Sequence, residues 1–148
     1  MADEVFIKAC GEGNLSRVKE LKTEINRLAF QDACMHGHLK VAQWLVTECK
    51  VDPNQPGIGG MTPLHWACTN GHLEVVKWLV KECKADPNQQ SKHGCTALFQ
   101  ACLDDRLDIV KWLVIECKTD LDVTDKPGVT CRDRATGKVA EWLLSNRQ

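Results

Sequence analysis

The sequence predicts an all-α solenoid of stacked antiparallel helix pairs with projecting β-turn fingers, and three observations predict it. Residue types recur at an offset of 34: Ala33, Ala67, Ala101 and Ala135; Cys34, Cys68 and Cys102; Trp44, Trp78 and Trp112; Glu48, Glu82 and Glu116; Cys49, Cys83 and Cys117. A period in this range marks supersecondary units that stack because none can bury its apolar face alone. Within each unit, two short apolar-periodic runs flank a turn residue such as Gly37 or Gly71. Between units lie turn-rich segments, of which Asp52-Pro53-Asn54-Gln55-Pro56-Gly57-Ile58-Gly59-Gly60 is the fullest, with equivalents at 84–94 and 118–128. These are the fingers.

Taken in order, the units fall at about 1–25, 26–59, 60–93, 94–127 and 128–148 in a single domain. The first is an N-terminal cap: Ala9-Cys10 matches Ala33-Cys34 at an offset of 24, so ten residues of finger are missing, and Gly13-Asn14 precedes an apolar stripe on Leu15, Val18 and Leu21. The second unit places helices near 27–35 and 39–49. In the third and fourth, Thr62 and Thr96 stand where an N-cap hydroxyl accepts from first-turn amides, and Pro63 takes the first helical position, where its missing N–H costs nothing. Gly37 and Gly71 suit the left-handed turn between paired helices; Asp105 replaces them in the fourth unit, so that turn is expected to be the weakest. In the last unit Trp142 aligns with Trp112 at an offset of 30, four residues short, and Arg132 stands where Leu64 and Leu98 face inward. A charge in that register predicts a face that meets water, as a C-terminal cap requires.

Composition excludes several classes. The net charge is −1 with acids and bases interspersed, so no basic field draws nucleic acid. The apolar stretch Ile109 to Ile115 is far too short to span a bilayer and Lys111 interrupts it, while Met1-Ala2-Asp3-Glu4 has no signal-peptide character. Neither membrane nor secretion is expected; a cytoplasmic location is, with the nucleus open to it. Nine cysteines, an odd number mostly in helical phase, read as buried reduced thiols rather than a disulfide framework.

The third unit carries a signature: Thr62-Pro63-Leu64-His65-Trp66-Ala67, then Gly71-His72-Leu73-Glu74-Val75-Val76, Leu79-Val80 and Asp86-Pro87-Asn88. It resembles the ankyrin repeat. The resemblance covers residues 26–127, with each unit one residue longer than usual; the extra residue falls after helix two, in Cys83-Lys84-Ala85-Asp86. It implies an ankyrin-repeat solenoid that binds a protein or peptide partner through its concave groove and finger tips, without enzymatic activity or cofactor and as a monomer. It also implies that His65 hydrogen-bonds between neighbouring fingers, while His38 and His72, which open helix two, are read as structural as well.

The repeats act as internal controls for the groove. Counterparts of Trp66 are Asp32, Gln100 and Arg134, all polar, so Trp66 reads as an exposed aromatic on helix one, the residue type most often found at binding hot spots. Folding over Met61 and Ile58 as local packing is the competing reading. Thr69 and Asn70 share its face at i+3 and i+4, with counterparts Met35-His36 and Leu103-Asp104. Ile58, Met61, Lys92, His93 and Cys95 of the fingers complete the candidate site with Gln100. Trp44, Trp78, Trp112 and Trp142 form a second set on helix two, read as a ladder covering the seams between units. Cys34, His36 and His38 alternate, but residues at i and i+2 point apart on a helix and only one unit keeps the set, so no metal site is expected. No nucleophile and base stand at motif spacing, and Asp104-Asp105 reads as a solvated pair. The alternative function is a scaffold or a fragment of a longer array, against which both caps look complete.

Overall fold

The computed structural model describes residues 8–14, 16 and 27–146. Residues 8–11 are helical and put Ala9 and Cys10 into the core; the stripe on Leu15, Val18 and Leu21 lies outside the described residues. Helix pairs follow as α1 (Arg27–Met35) with α2 (Leu39–Cys49), α3 (Pro63–Asn70) with α4 (Leu73–Lys81), α5 (Ala97–Leu103) with α6 (Leu107–Ile115), and α7 (Cys131–Arg134) with α8 (Gly137–Ser145). The leading helices form one layer, in which α1 packs on α3, α3 on α5 and α5 on α7; α4, α6 and α8 follow one another in a second.

The helices begin and end where local chemistry dictates. Thr62, Thr96 and Thr130 have extended backbone, and their hydroxyls accept from the amides of His65, Phe99 and Asp133, so each leading helix of the last three pairs starts on an N-cap. Gly37 and Gly71 take φ of 77° and 83° after α1 and α3. Helix two ends differently. Lys50, Lys84 and Lys118 adopt left-handed φ of 58°, 58° and 55°, and the next residue's N–H reaches six residues back, from Val51 to Leu45, Ala85 to Leu79 and Thr119 to Leu113. The closure is one residue wider than a Schellman motif, with lysine in the left-handed position that glycine usually takes. The left-handed lysine is therefore where each of these helices terminates.

Small residues let the leading layer close up. Ala33, Ala67 and Ala101 and the cysteines beside them, Cys34, Cys68 and Cys102, are wholly buried. Val41, Ala42 and Leu45, Val75, Val76 and Leu79, and Ile109, Val110 and Leu113 bring the second layer's apolar stripe onto them. Each buried leucine contributes about 1.5–3 kcal/mol.

The fingers close as turns, Gly57 N–H to the Met61 carbonyl (2.8 Å), Ser91 to Cys95 (2.9 Å) and Asp125 to Val129 (3.0 Å). They also join one another: Lys92 N–H donates to the Gly59 carbonyl and Lys126 N–H to that of His93, both at 2.9 Å. At Gly60 and Gly94, with φ of 72° and 81°, a Cβ would meet the Lys92 or Lys126 amide nitrogen at 2.9 Å, so the finger-to-finger bond requires glycine there.

Three expectations change. Ala135 shares the 34-residue phase but lies beyond α7, which is a single turn ending at Arg134; the missing four residues come out of the leading helix. Asp105 does take the left-handed conformation, φ 55°, yet its carboxylate accepts the Val139 N–H at 2.8 Å and so caps α8 from the neighbouring pair. The turn therefore gains a contact its glycine counterparts lack. All nine cysteines are free thiols, but Cys49, Cys83, Cys95 and Cys117 are half-buried rather than buried.

Candidate recognition groove

Helical spacing brings three rows to the same side of the leading layer: Asp32 and Met35 on α1 with His36 just past its end, Trp66, Thr69 and Asn70 on α3, and Gln100 and Leu103 on α5 with Asp104 at its C-cap. Trp66 is half-buried, not exposed as its polar counterparts suggest. Its ring is flanked instead of free. Leu28, Gln31, Asp32, Met35, Ile58 and Trp66 line a cavity of about 290 Å³ between α1, α3 and the first finger. Ile58 stands at its rim 80% exposed and Leu28 45% exposed.

Of the residues singled out from sequence, the cavity gathers Met35, Ile58 and Trp66. Met61 is half-buried beside α5, where the Gln100 amide nitrogen lies 4.0 Å from its sulfur. Lys92 and His93 are exposed at the second finger tip, joined to the first by the Lys92–Gly59 bond. At the far ends of the leading helices, His36, Asn70, Leu103 and Asp104 are exposed. His36 Nδ1 donates to the Asp32 carbonyl at 2.9 Å and lies 3.4 Å from its carboxylate; the Asn70 amide donates to the Trp66 carbonyl at 2.9 Å. Thr69 and Cys95 are half-buried and tied into the scaffold through their carbonyls, which accept from Arg106 Nε (3.0 Å) and His65 Nε2 (3.0 Å).

The cavity wall includes residues that the sequence reading passed over. Leu28 occupies the register of Thr62, Thr96 and Thr130, an apolar residue where every later pair has its N-cap. That break in the repeat is a readable signal. Gln31 holds the register of His65; it is 5% exposed, and its Nε2 has no hydrogen-bond partner among the described residues.

The scaffold behind the groove is held by side chains reaching between pairs. His65 accepts the Thr62 N–H on Nδ1 (3.1 Å) and donates from Nε2 to Cys95, which fixes its neutral tautomer as well as the finger spacing. Burial pushes its pKa down, although the Cys95 carbonyl works the other way. At the opposite edge His38 donates to the Gly11 carbonyl (2.6 Å), His72 to Met35 (2.9 Å) and Arg106 to Thr69 (3.0 Å), one rung per seam. On the outer layer Trp44, Trp78, Trp112 and Trp142 are half-buried against the core. The Trp78 ring lies 6.3 Å from that of Phe30 in the preceding pair and Lys81 Nζ 5.8 Å from Trp112, as seam-covering side chains would.

The thiols differ: the hydrogen bond with the Cys102 thiol draws the Cys131 thiol down, whereas burial acts the other way on Cys10 and Cys83. Burial raises Cys10 to about 12 and Cys83 to about 11, leaving scarcely any thiolate at neutral pH. Among the described residues no three His, Cys, Asp or Glu side chains converge as metal ligands.

A model of ankyrin repeats (three copies) matches residues 6–91 and, in an overlapping alignment, residues 30–126. No curated protein matches the chain.

Proposed function

The chain belongs to the ankyrin-repeat family, and from that premise we propose that it is a recognition module which binds a protein or peptide partner through its concave groove and finger tips. Ankyrin repeats are generally protein–protein interaction modules and typically non-enzymatic. The observation that carries the reading to particular residues is the cavity at Trp66, where a half-buried tryptophan, Leu28 and the exposed Ile58 present an apolar concavity on that side of the array. Large aromatics in such pockets dominate interface energetics, whereas the polar rim around them mainly excludes water. In this reading Met35, Ile58 and Trp66 anchor the partner; Met61, Gln100, Lys92, His93 and Cys95 extend the contact along the fingers; His36, Thr69, Asn70, Leu103 and Asp104 border it.

The reading divides the chain into five units with caps at 1–25 and 128–148, and places it in the cytoplasm as a monomer without nucleic-acid or membrane partners. No helix among the described residues is long and apolar enough to cross a membrane. The test is quantitative capture from cell lysate on the intact protein, on Trp66→Ala and Ile58→Asp, and on the convex-face variant Lys81→Ala. Partners should fall about tenfold or more with either groove variant and stay with the convex one. Capture that ignores both groove substitutions would favour the scaffold reading.

A further inference from the structure

The finger tips form an ordered row, and its chemistry changes along the row. Two backbone hydrogen bonds set the order: Lys92 to Gly59 places the second tip beside the first, and Lys126 to His93 places the third beside the second. The exposed side chains therefore run from apolar Ile58, at the rim of the Trp66 cavity, through Lys92 and His93 to Lys126. Arg134 on α7 is exposed too. None of Lys92, Lys126 or Arg134 has an ion-pair partner among the described residues.

The nearby acids are turned to other uses. Asp125 is buried, with one carboxylate oxygen accepting the Val129 N–H at 2.8 Å; one Asp133 oxygen accepts from both the amide and the hydroxyl of Thr130. Asp122 pairs with Arg132 at 3.2 Å, and Asp32 at the cavity edge faces His36. Exposed acid lies instead at the other end of α5, at Asp104 and at Asp105, whose carboxylate caps α8 through the Val139 N–H. A chain with a net charge of −1 thus keeps a local row of unpaired cations beside its apolar cavity.

We infer that the groove takes an extended peptide with one apolar anchor, seated in the Trp66 cavity, and acidic side chains further along that lie on Lys92, His93 and Lys126. The inference rests on the groove reading above and adds the partner's chemistry. Stacked helices lie about 8–10 Å apart and an extended chain advances about 3.3 Å per residue, so one unit corresponds to about three residues of peptide. The acids then fall about three and about six residues beyond the anchor. Acid placed toward the opposite edge of the groove meets Asp104 and Asp105, which holds such a peptide to the finger side.

Fluorescently labelled peptides of about twelve residues test this against the full chain by anisotropy. One set carries a Leu or Phe anchor and Glu at the two spacings, in both chain directions; its twins carry Lys in place of Glu, or Ser in place of the anchor. The anchor-plus-acid set should bind about tenfold tighter than its lysine twins near 50 mM salt, with the gap closing near about 0.5 M, since exposed charge pairs are screened. The double variant Lys92→Glu, Lys126→Glu should reverse the preference without moving the melting transition, and Trp66→Ala should weaken both sets. Equal binding of acidic and basic twins, or no binding by any peptide, overturns the inference. Equal binding that still depends on Trp66 overturns only the charge reading and leaves the groove in place; an acid preference indifferent to Trp66→Ala overturns the anchor and the groove reading together.

Discussion

His65 is 1% exposed and engages both ring nitrogens, so a second ring proton would set Nδ1–H against the Thr62 N–H. Burial lowers its pKa in the folded chain from the ordinary 6.5, and lowers that of His72 likewise. The unfolded chain therefore takes up these protons first: the stabilisation is complete above pH 6.5 and is lost as pH falls from there through the folded values. Urea midpoints measured between about pH 7.5 and about pH 5 should fall, and His65→Gln, which installs the residue of the Gln31 register, should flatten that slope. Trp66 and Trp78 provide the other contrast at this scale. Trp66→Ala removes a half-buried ring at a cavity and should cost about 1–2 kcal/mol, whereas Trp78→Ala also loses the Phe30 contact across a seam and should cost about 2–4 kcal/mol, read by chemical denaturation. The polar counterparts of Trp66 indicated its helix face correctly, but its burial depended on Leu28 and on the first finger, neither of which shares its register.

At the scale of elements, the left-handed lysines that end helix two invite a direct test. A non-glycine residue in this conformation costs roughly 1–2 kcal/mol, offset in part by glycine's greater freedom in the unfolded chain, so Lys84→Gly should stabilise the protein by about 0.5–1 kcal/mol in urea unfolding. A loss instead would mean that the Lys84 Nζ bond to the Lys81 carbonyl, at 2.6 Å, outweighs the backbone strain. Asp105 reads the opposite way. Gly137 lets its carboxylate approach the start of α8, because a Cβ there would collide with it. Asp105→Gly relieves the turn but removes the cap, worth about 1 kcal/mol, and hydrogen exchange at the Val139 amide should speed up, while Asp105→Asn retains an acceptor and its protection. The turn residue alone, read from sequence, gives no hint of this cap, since its partner lies 34 positions away.

At the scale of the whole molecule, every unit is stabilised chiefly by its neighbours. Deleting residues 128–148 uncovers the side of the array to which Leu98, Ile109, Val110 and Leu113 belong, all within 1% of full burial in the intact chain. Thermal melts with light scattering should show a clearly lower transition or aggregation. A truncated protein as stable and monodisperse as the parent would mean that α7 and α8 cover nothing the array needs. The single turn of α7 sets the last pair apart: the leading helix is shortened by about one turn, and Arg132 turns to Asp122 instead of continuing the apolar row of Leu64 and Leu98.

What the sequence determined by itself was everything that repeats. Five registers at 34 residues, the threonine caps at Thr62 and Thr96, Pro63 and the turn glycines are local or periodic, and local chemistry at a fixed interval admits one stacking solution. What only the tertiary structure decided was everything that departs from the repeat: that Leu28, Ile58 and Trp66 meet around one cavity, that Asp105 caps α8, and that the finger tips join into a row. Those contacts depend on the pitch between neighbouring units, a property of packed backbones that no single unit encodes and that appears once alanine and cysteine have let the leading helices close together.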